Sequence, residues 1–275
     1  MAIPRFANKH DHVDFLSPTA MRDWRRERGL LPERVPERMI ILYQNGLWRG
    51  VREFEATSAI GGDAYYARVV TLDRTDGRVG VIGGFGIGAP VAAVILEDLI
   101  ALGVREFISM GTAGGLQPDL APGAVVVCTS AVRDEGVSHH YARDDVLAAP
   151  DPALTESFAA TIDAAGLPTR RGATWTIDTP YRETAAEAEH YRADGVLCVE
   201  MEAAALFVVA AHRRVAIASA FCISDSLADA EWNPHFDHPG LVHNLLALYG
   251  AAVDAPRTSG TSGTSGTSGT SSMSR

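Results

Sequence analysis

Cysteine is scarce. The 275 residues hold three, Cys128, Cys198 and Cys222, each inside an apolar run and none in C-x-x-C spacing. This excludes a disulfide-stapled scaffold and leaves buried, reduced thiols suited to a reducing compartment. Basic charge is also short: 24 Lys and Arg face 34 Asp and Glu, a net charge of −10. The clustered cations that neutralise duplex phosphates are missing, so nucleic acid is not an expected partner. No window reaches the roughly 18 uninterrupted apolar residues of a membrane span, and Met1 to Asp14 has no apolar stretch of signal-peptide length. The expectation is a cytoplasmic protein, off the membrane, acting on a small polar molecule. Metal-ligand spacing is lacking too. His139 and His140, after Asp134 and Glu135, and the HFDH run at His235 to His238 do not follow HExxH, so no metal is expected.

What is present is a large apolar share, 47% of the chain, enough for a substantial core. From Arg257 the sequence becomes Thr-Ser-Gly triplets with almost nothing to bury. We expect a flexible tail over 257–275 and one domain over 1–256. Ser17-Pro18 predicts an N-cap and first-turn proline for a short helix ending near Gly29. Strand-length apolar runs then alternate with helical patterns. Strands are predicted at 39–43, 66–72, 79–84, 107–110, 124–132, 173–177, 196–200 and 215–223, and helices from Pro90 to Gly103 and over 152–165, 183–191, 201–211 and 239–253. Continuously apolar strands must be covered on both faces. The fold class is therefore α/β, three layers, with a mostly buried mixed sheet between helices.

Four segments carry candidate chemistry. GGFGIGAP, Gly83 to Pro90, lies between a strand and a helix, where glycines let a backbone approach a ligand and a helix N-terminus favours an anion. Its GxGxG spacing is not the GxGxxG of dinucleotide folds, and a tight structural turn is the alternative. ISMGTAGGLQPDLAPG, Ile108 to Gly123, runs a strand into Gly111, Thr112 and further glycines, predicting a turn that presents amides and a hydroxyl at the sheet's carboxyl edge. VEMEAAAL places Glu200 and Glu202 around Met201 where a buried strand becomes an apolar helix. Glutamate is rarely buried without a partner, so capping of the helix accounts for one carboxylate and a ligand's vicinal hydroxyls for the other. CISDSLAD ends an apolar strand with Ser224 and Asp225. That aspartate is either an N-cap or an acid with a raised pKa.

In this order the four segments resemble one superfamily, the hexameric purine and uridine nucleoside phosphorylases and the related methylthioadenosine nucleosidases. The likeness covers roughly Met39 to Val253, and RDEGVSHHY, Arg133 to Tyr141, looks like its uridine-phosphorylase branch. The resemblance implies that Glu202 accepts hydrogen bonds from the ribose hydroxyls, with Met201 against the sugar and Glu200 supporting from behind. It implies that Asp225 protonates purine N7 as the glycosidic bond breaks, with Ser224, His139 or His140 near the base. Thr112 and Gly111 would hold inorganic phosphate, the only co-substrate, with no further cofactor. His10 or His12 would reach a neighbouring subunit in a hexamer.

Two departures bear on that reading. The family's Gly-Asp-Pro phosphate loop is replaced by YQNGLWRG, Tyr43 to Gly50, and the position of its second phosphate arginine holds Ser109. Arg49, Arg68, Arg52 and Arg133 are the candidates to supply the charge, with Arg49 and Arg68 preferred. TIDTPYRET, Thr176 to Thr184, lacks the Phe-Tyr pair that precedes the uracil-reading residues, which tilts the expected base to a purine. The alternatives are a nucleosidase using water, a uridine phosphorylase, a nicotinamide-dependent oxidoreductase using the GGFGIG loop, and a non-catalytic nucleoside-binding protein.

Overall fold

The computed structural model describes residues 3–4, 6, 8–60, 68–228 and 232–257. The expected Thr-Ser-Gly tail from 258 onward and the start of the strand expected from Tyr66 lie outside the described residues. Along the chain run α1 (Pro18–Glu27), β1 (Arg38–Leu42), α2 (Asn45–Phe54), β2 (Thr57–Ala59), β3 (Arg68–Leu72), β4 (Val79–Gly83), α3 (Ala89–Leu102) and β5 (Glu106–Gly115). They are followed by β6 (Val125–Asp134), α4 (Pro152–Ala164), β7 (Thr169–Ile177), α5 (Ala185–Ala193), β8 (Cys198–Glu200), α6 (Ala203–Arg213), β9 (Ala216–Ser226), β10 (Asn233–Pro234) and α7 (Pro239–Asp254).

Local chemistry sets the helix starts. Ser17 Oγ accepts the Ala20 amide ahead of Pro18, Asp151 accepts the Leu154 amide ahead of Pro152, and Thr184 and Glu187 form a reciprocal capping box at α5. Gly103, at φ 120°, ends α3 where an L-residue would be strained. One expectation is corrected and one unassigned segment gains an element. Gly111 to Gly115 is not a turn: β5 continues through it, paired with β9 on one side and with β8 at its end. The segment after β1, for which no element was expected, is α2, whose Leu47, Trp48 and Val51 are buried.

The strands form one mixed sheet in the order β10-β9-β6-β7-β8-β5-β1-β4-β3-β2, with a further β9–β5 pairing. That pairing closes β5, β8, β7, β6 and β9 into a ring, from which β1, β4, β3 and β2 extend as an open wing. One apolar cluster joins α3 and α6 to the sheet, and a second joins α2, α4 and α7, so helices cover both faces as the continuous apolar strands require. At the bottom of the wing, buried Arg38 contacts Glu106 at 2.5 Å and donates to the Ala252 and Ala255 carbonyls that end α7. The three cysteines are free and buried. No helix among the described residues is long and apolar enough to cross a membrane.

Candidate active site

The sheet has a notch at the carboxyl end of β5. On that edge β1 pairs as far as Leu42 opposite Met110, and β8 enters only at Val199 opposite Gly114. Thr112 lies between, with its hydroxyl accepting a hydrogen bond from Gln44 Nε2 at 2.7 Å. Tyr43 packs edge-on against Phe85, with ring centroids 5.5 Å apart, and covers Gly111, where an added Cβ would come within 3.4 Å of its ring. Its hydroxyl lies beside Ser109, yet neither oxygen closes a sound hydrogen bond among the described residues. Burial, then the charge of Glu202, pushes the Tyr43 phenol well above its ordinary range.

Glu200 and Glu202 differ in their surroundings. Glu200 accepts from Thr176 Oγ1 at 2.5 Å and from the Glu202 and Ala203 amides, both at 2.7 Å, while Thr176 Oγ1 accepts the Ala204 amide. It therefore caps α6, and this structural duty accounts for its burial. Glu202 receives the Gly88 amide at 2.5 Å. Burial and then the Glu200 charge raise its carboxyl to about 8, against the pull of the Gly88 and Met201 amides. Glu200 is also pushed up by burial, but its donors favour the charged form, so the pair's proton rests on Glu202. Gly88 has φ 100° and, with Cβ added, would lie 3.9 Å from Met201 Cε, so the GIG turn, Met201 and Glu202 form one wall.

Asp225 ends β9 on the other side. A register shift between Ala113 and Gly114 brings it opposite Gly114. Its Oδ1 accepts Ser224 Oγ at 2.7 Å and its Oδ2 accepts Trp232 Nε1 at 2.9 Å. Glu183, at the turn between β7 and α5, lies in the field of Asp225. Burial and then that charge push its carboxyl up to about 7.

The structure thus gathers Gly111, Thr112, Glu200, Met201 and Glu202 around the notch, with Ser224 and Asp225 at the end of the adjoining strand. His139 contacts Asp144 Oδ1 at 2.8 Å and the Arg133 carbonyl, and His140 contacts Lys9 Nζ at 2.8 Å. No contact joins either histidine to Asp225. His10 meets the His139 carbonyl. Arg49 is exposed on α2, and Arg68 opens β3 opposite Gly83. Sequence reasoning missed Tyr43, Gln44 and Glu183. The first two had a readable signal, since they follow directly on a fully buried strand, where α/β sites form. Glu183 had none in periodicity or spacing.

Residues 53–247 match the phosphorylase superfamily, and the chain belongs to that superfamily. It is 33% identical over 152 residues to a uridine phosphorylase of Salmonella typhimurium, covering 50% of this chain and 60% of that one. It is 36% identical over 151 residues to a guanosine phosphorylase of Halorubrum lacusprofundi, covering 54% and 62%. A DeoD-type purine nucleoside phosphorylase of Exiguobacterium is 31% identical, covering 54% and 63%. The matches therefore span about three fifths of these relatives' lengths. In fold the chain is similar to the crystal structure of a uridine phosphorylase from Vibrio fischeri, with a TM-score of 0.69 and 22% identity over 81% of this chain and 93% of that one.

Proposed function

We propose that this chain cleaves the N-glycosidic bond of a nucleoside, with a purine as the favoured base and inorganic phosphate as co-substrate, releasing free base and ribose 1-phosphate. The observation that carries the reading is buried Glu202, held by the Gly88 amide and raised to about 8. A carboxyl so placed gains its natural partners when a sugar's vicinal hydroxyls donate to it. Met201 packs beside the sugar, Thr112 and Gly111 face the nucleophile, and Asp225, as its carboxylic acid, delivers the proton that the departing base needs. Relatives named for uridine, guanosine and purine nucleosides support the reaction class and leave both base types represented. The same reading includes a homo-oligomer, a hexamer by family likeness, in the cytoplasm and with no cofactor beyond phosphate.

One observation favours a second reading, hydrolysis. The described side chain that bonds Thr112 is the neutral amide of Gln44, and no cationic side chain among the described residues hydrogen-bonds to it. The test is product release from inosine, guanosine, adenosine and uridine at varied phosphate. A rate that rises with phosphate and yields ribose 1-phosphate supports phosphorolysis. An undiminished rate without phosphate, yielding free ribose, replaces it with hydrolysis, and no product from any nucleoside sinks the reaction class.

A further inference from the structure

Trp232 and Phe236 leave their rings at the rim, 60% and 59% exposed, with centroids 6.0 Å apart. Burial does not account for where the Trp232 indole lies, but its one polar atom does: Nε1 donates to Asp225 Oδ2 at 2.9 Å. The backbone that follows is tied to the same end of β9. β10 pairs Asn233 with Ser226 and Pro234 with Asp225, and the His235 amide donates to the Ser224 carbonyl at 2.9 Å. The carboxyl also has a fixed floor. Asp225 Oδ2 lies 3.3 Å from where a Cβ on Gly114 would stand, next but one to Thr112 on β5. The other oxygen, Oδ1, takes the Ser224 hydroxyl at 2.7 Å. These two donors differ in kind. A hydroxyl can donate or accept, whereas an indole N–H only donates. Trp232 therefore needs an acceptor at Oδ2 whether the carboxyl is charged or neutral. A carboxylic acid accepts best through its carbonyl oxygen, so when Asp225 is the acid its hydrogen belongs on Oδ1.

We propose that Trp232 is a positioning residue for Asp225, orienting the carboxyl so that Oδ1 hands its proton to the base while Oδ2 stays bound to the indole. The inference rests on the role given to Asp225 in the nucleoside-cleaving function proposed above. As the C1′–N9 bond breaks, its electron pair passes into the purine, the Oδ1 proton passes to N7, and the sugar carbon takes the oxygen nucleophile. Asp225 is left as a carboxylate, which regains its proton from solvent. The hydrogen bond from Trp232 strengthens as that charge forms. It therefore stabilises the transition state more than the bound substrate, and it acts on kcat and not on KM.

The test is Trp232→Phe, which keeps an aromatic ring and removes the N–H. It is compared with wild type on a purine nucleoside and on its N7-methylated analogue, whose base leaves without protonation. On the ordinary nucleoside kcat should fall about tenfold with KM held within about twofold, because a hydrogen bond to a charged acceptor is about twice as strong as one to a neutral acceptor. On the methylated analogue the two proteins should agree within about twofold. Equal losses on both substrates, or a loss confined to KM, overturn the proposal. The contact itself is read without turnover. The indole N–H resonance of Trp232, one of four tryptophans and recognised by its loss in Trp232→Phe, should shift and exchange faster with solvent in Asp225→Ala. A resonance that does neither overturns the inference whatever the protein cleaves. A resonance that does both, in a protein that cleaves no nucleoside, supports the pairing of Trp232 with Asp225 and fails only the reaction class.

Discussion

Gly88 N lies 2.5 Å from Glu202 Oε1, so the glycine turn that opens α3 and the acidic turn that opens α6 are a single structure. Residues 114 positions apart fix each other, and the carboxyl proposed to bind the sugar is oriented by a backbone amide. Gly88 has φ 100°, a region closed to most side chains.

Substitution there tests this coupling. Gly88→Ala should cost about 1–3 kcal/mol in backbone strain and rotate the amide away from Glu202. A lowered unfolding midpoint with a raised KM for nucleoside is the expected pair of results. A normal KM would mean that Glu202 is held by other contacts.

Glu202→Ala removes the proposed acceptor for the sugar. Loss of charge-assisted hydrogen bonds predicts a drop of roughly 3 kcal/mol in transition-state binding, about 10²-fold in kcat/KM. Because the free protein holds a proton on Glu202 to about pH 8 and sugar hydroxyls favour the carboxylate, nucleoside binding at pH 7 should release a proton. Calorimetry in buffers of different ionisation enthalpy measures it, and Glu202→Gln should release none.

Stability should carry the same signature. The folded pKa of Glu202 is about 8 against an ordinary 4.5, so the folded protein binds the proton more tightly. Its contribution is fully present below 4.5 and is lost as pH rises through about 8. Measured against Glu202→Gln, wild type should therefore lose unfolding free energy across that window, on the order of 5 kcal/mol. A flat difference would place the proton elsewhere.

Gln44 occupies the notch through its bond to Thr112, and a cation there should attract phosphate. If phosphate is the nucleophile, Gln44→Arg should lower its KM by about tenfold, or 1.4 kcal/mol. An unchanged phosphate response would favour water.

At the opposite end of the sheet, Arg38→Met should destabilise the fold by roughly 3–5 kcal/mol. It removes the contact with Glu106 and the donors to the carbonyls that end α7. Activity below the unfolding transition should be unaffected, since Arg38 is remote from Thr112 along β1 and β5.

Much of this was legible in one dimension. Ser17-Pro18, the apolar stripe from Pro90 and the buried runs of β1 and β4 obey local rules of capping and periodicity, and the structure follows them. Glu200 and Glu202 announced themselves as carboxylates in an apolar junction, and the amides that Glu200 reaches make it the cap of α6. The errors arose where distant pairing overrides composition. Gly111 to Gly115 reads as a turn because glycine is poor in strands, but β9 and β8 hold it extended. The Asn-Gly pair at the start of α2 hid Leu47, Trp48 and Val51, whose burial against the sheet forms the helix.

The ring formed by β5, β8, β7, β6 and β9 sets a limit on how the catalyst can work. A closed cylinder has no loose border along which its staves could part without forfeiting ladder bonds. Under the proposed function, entry of a nucleoside and exit of its base fall to the loops at the rim and not to a parting of the strands. Substitutions that stiffen that rim should slow the cycle at product exit while the bond-breaking step keeps its pace.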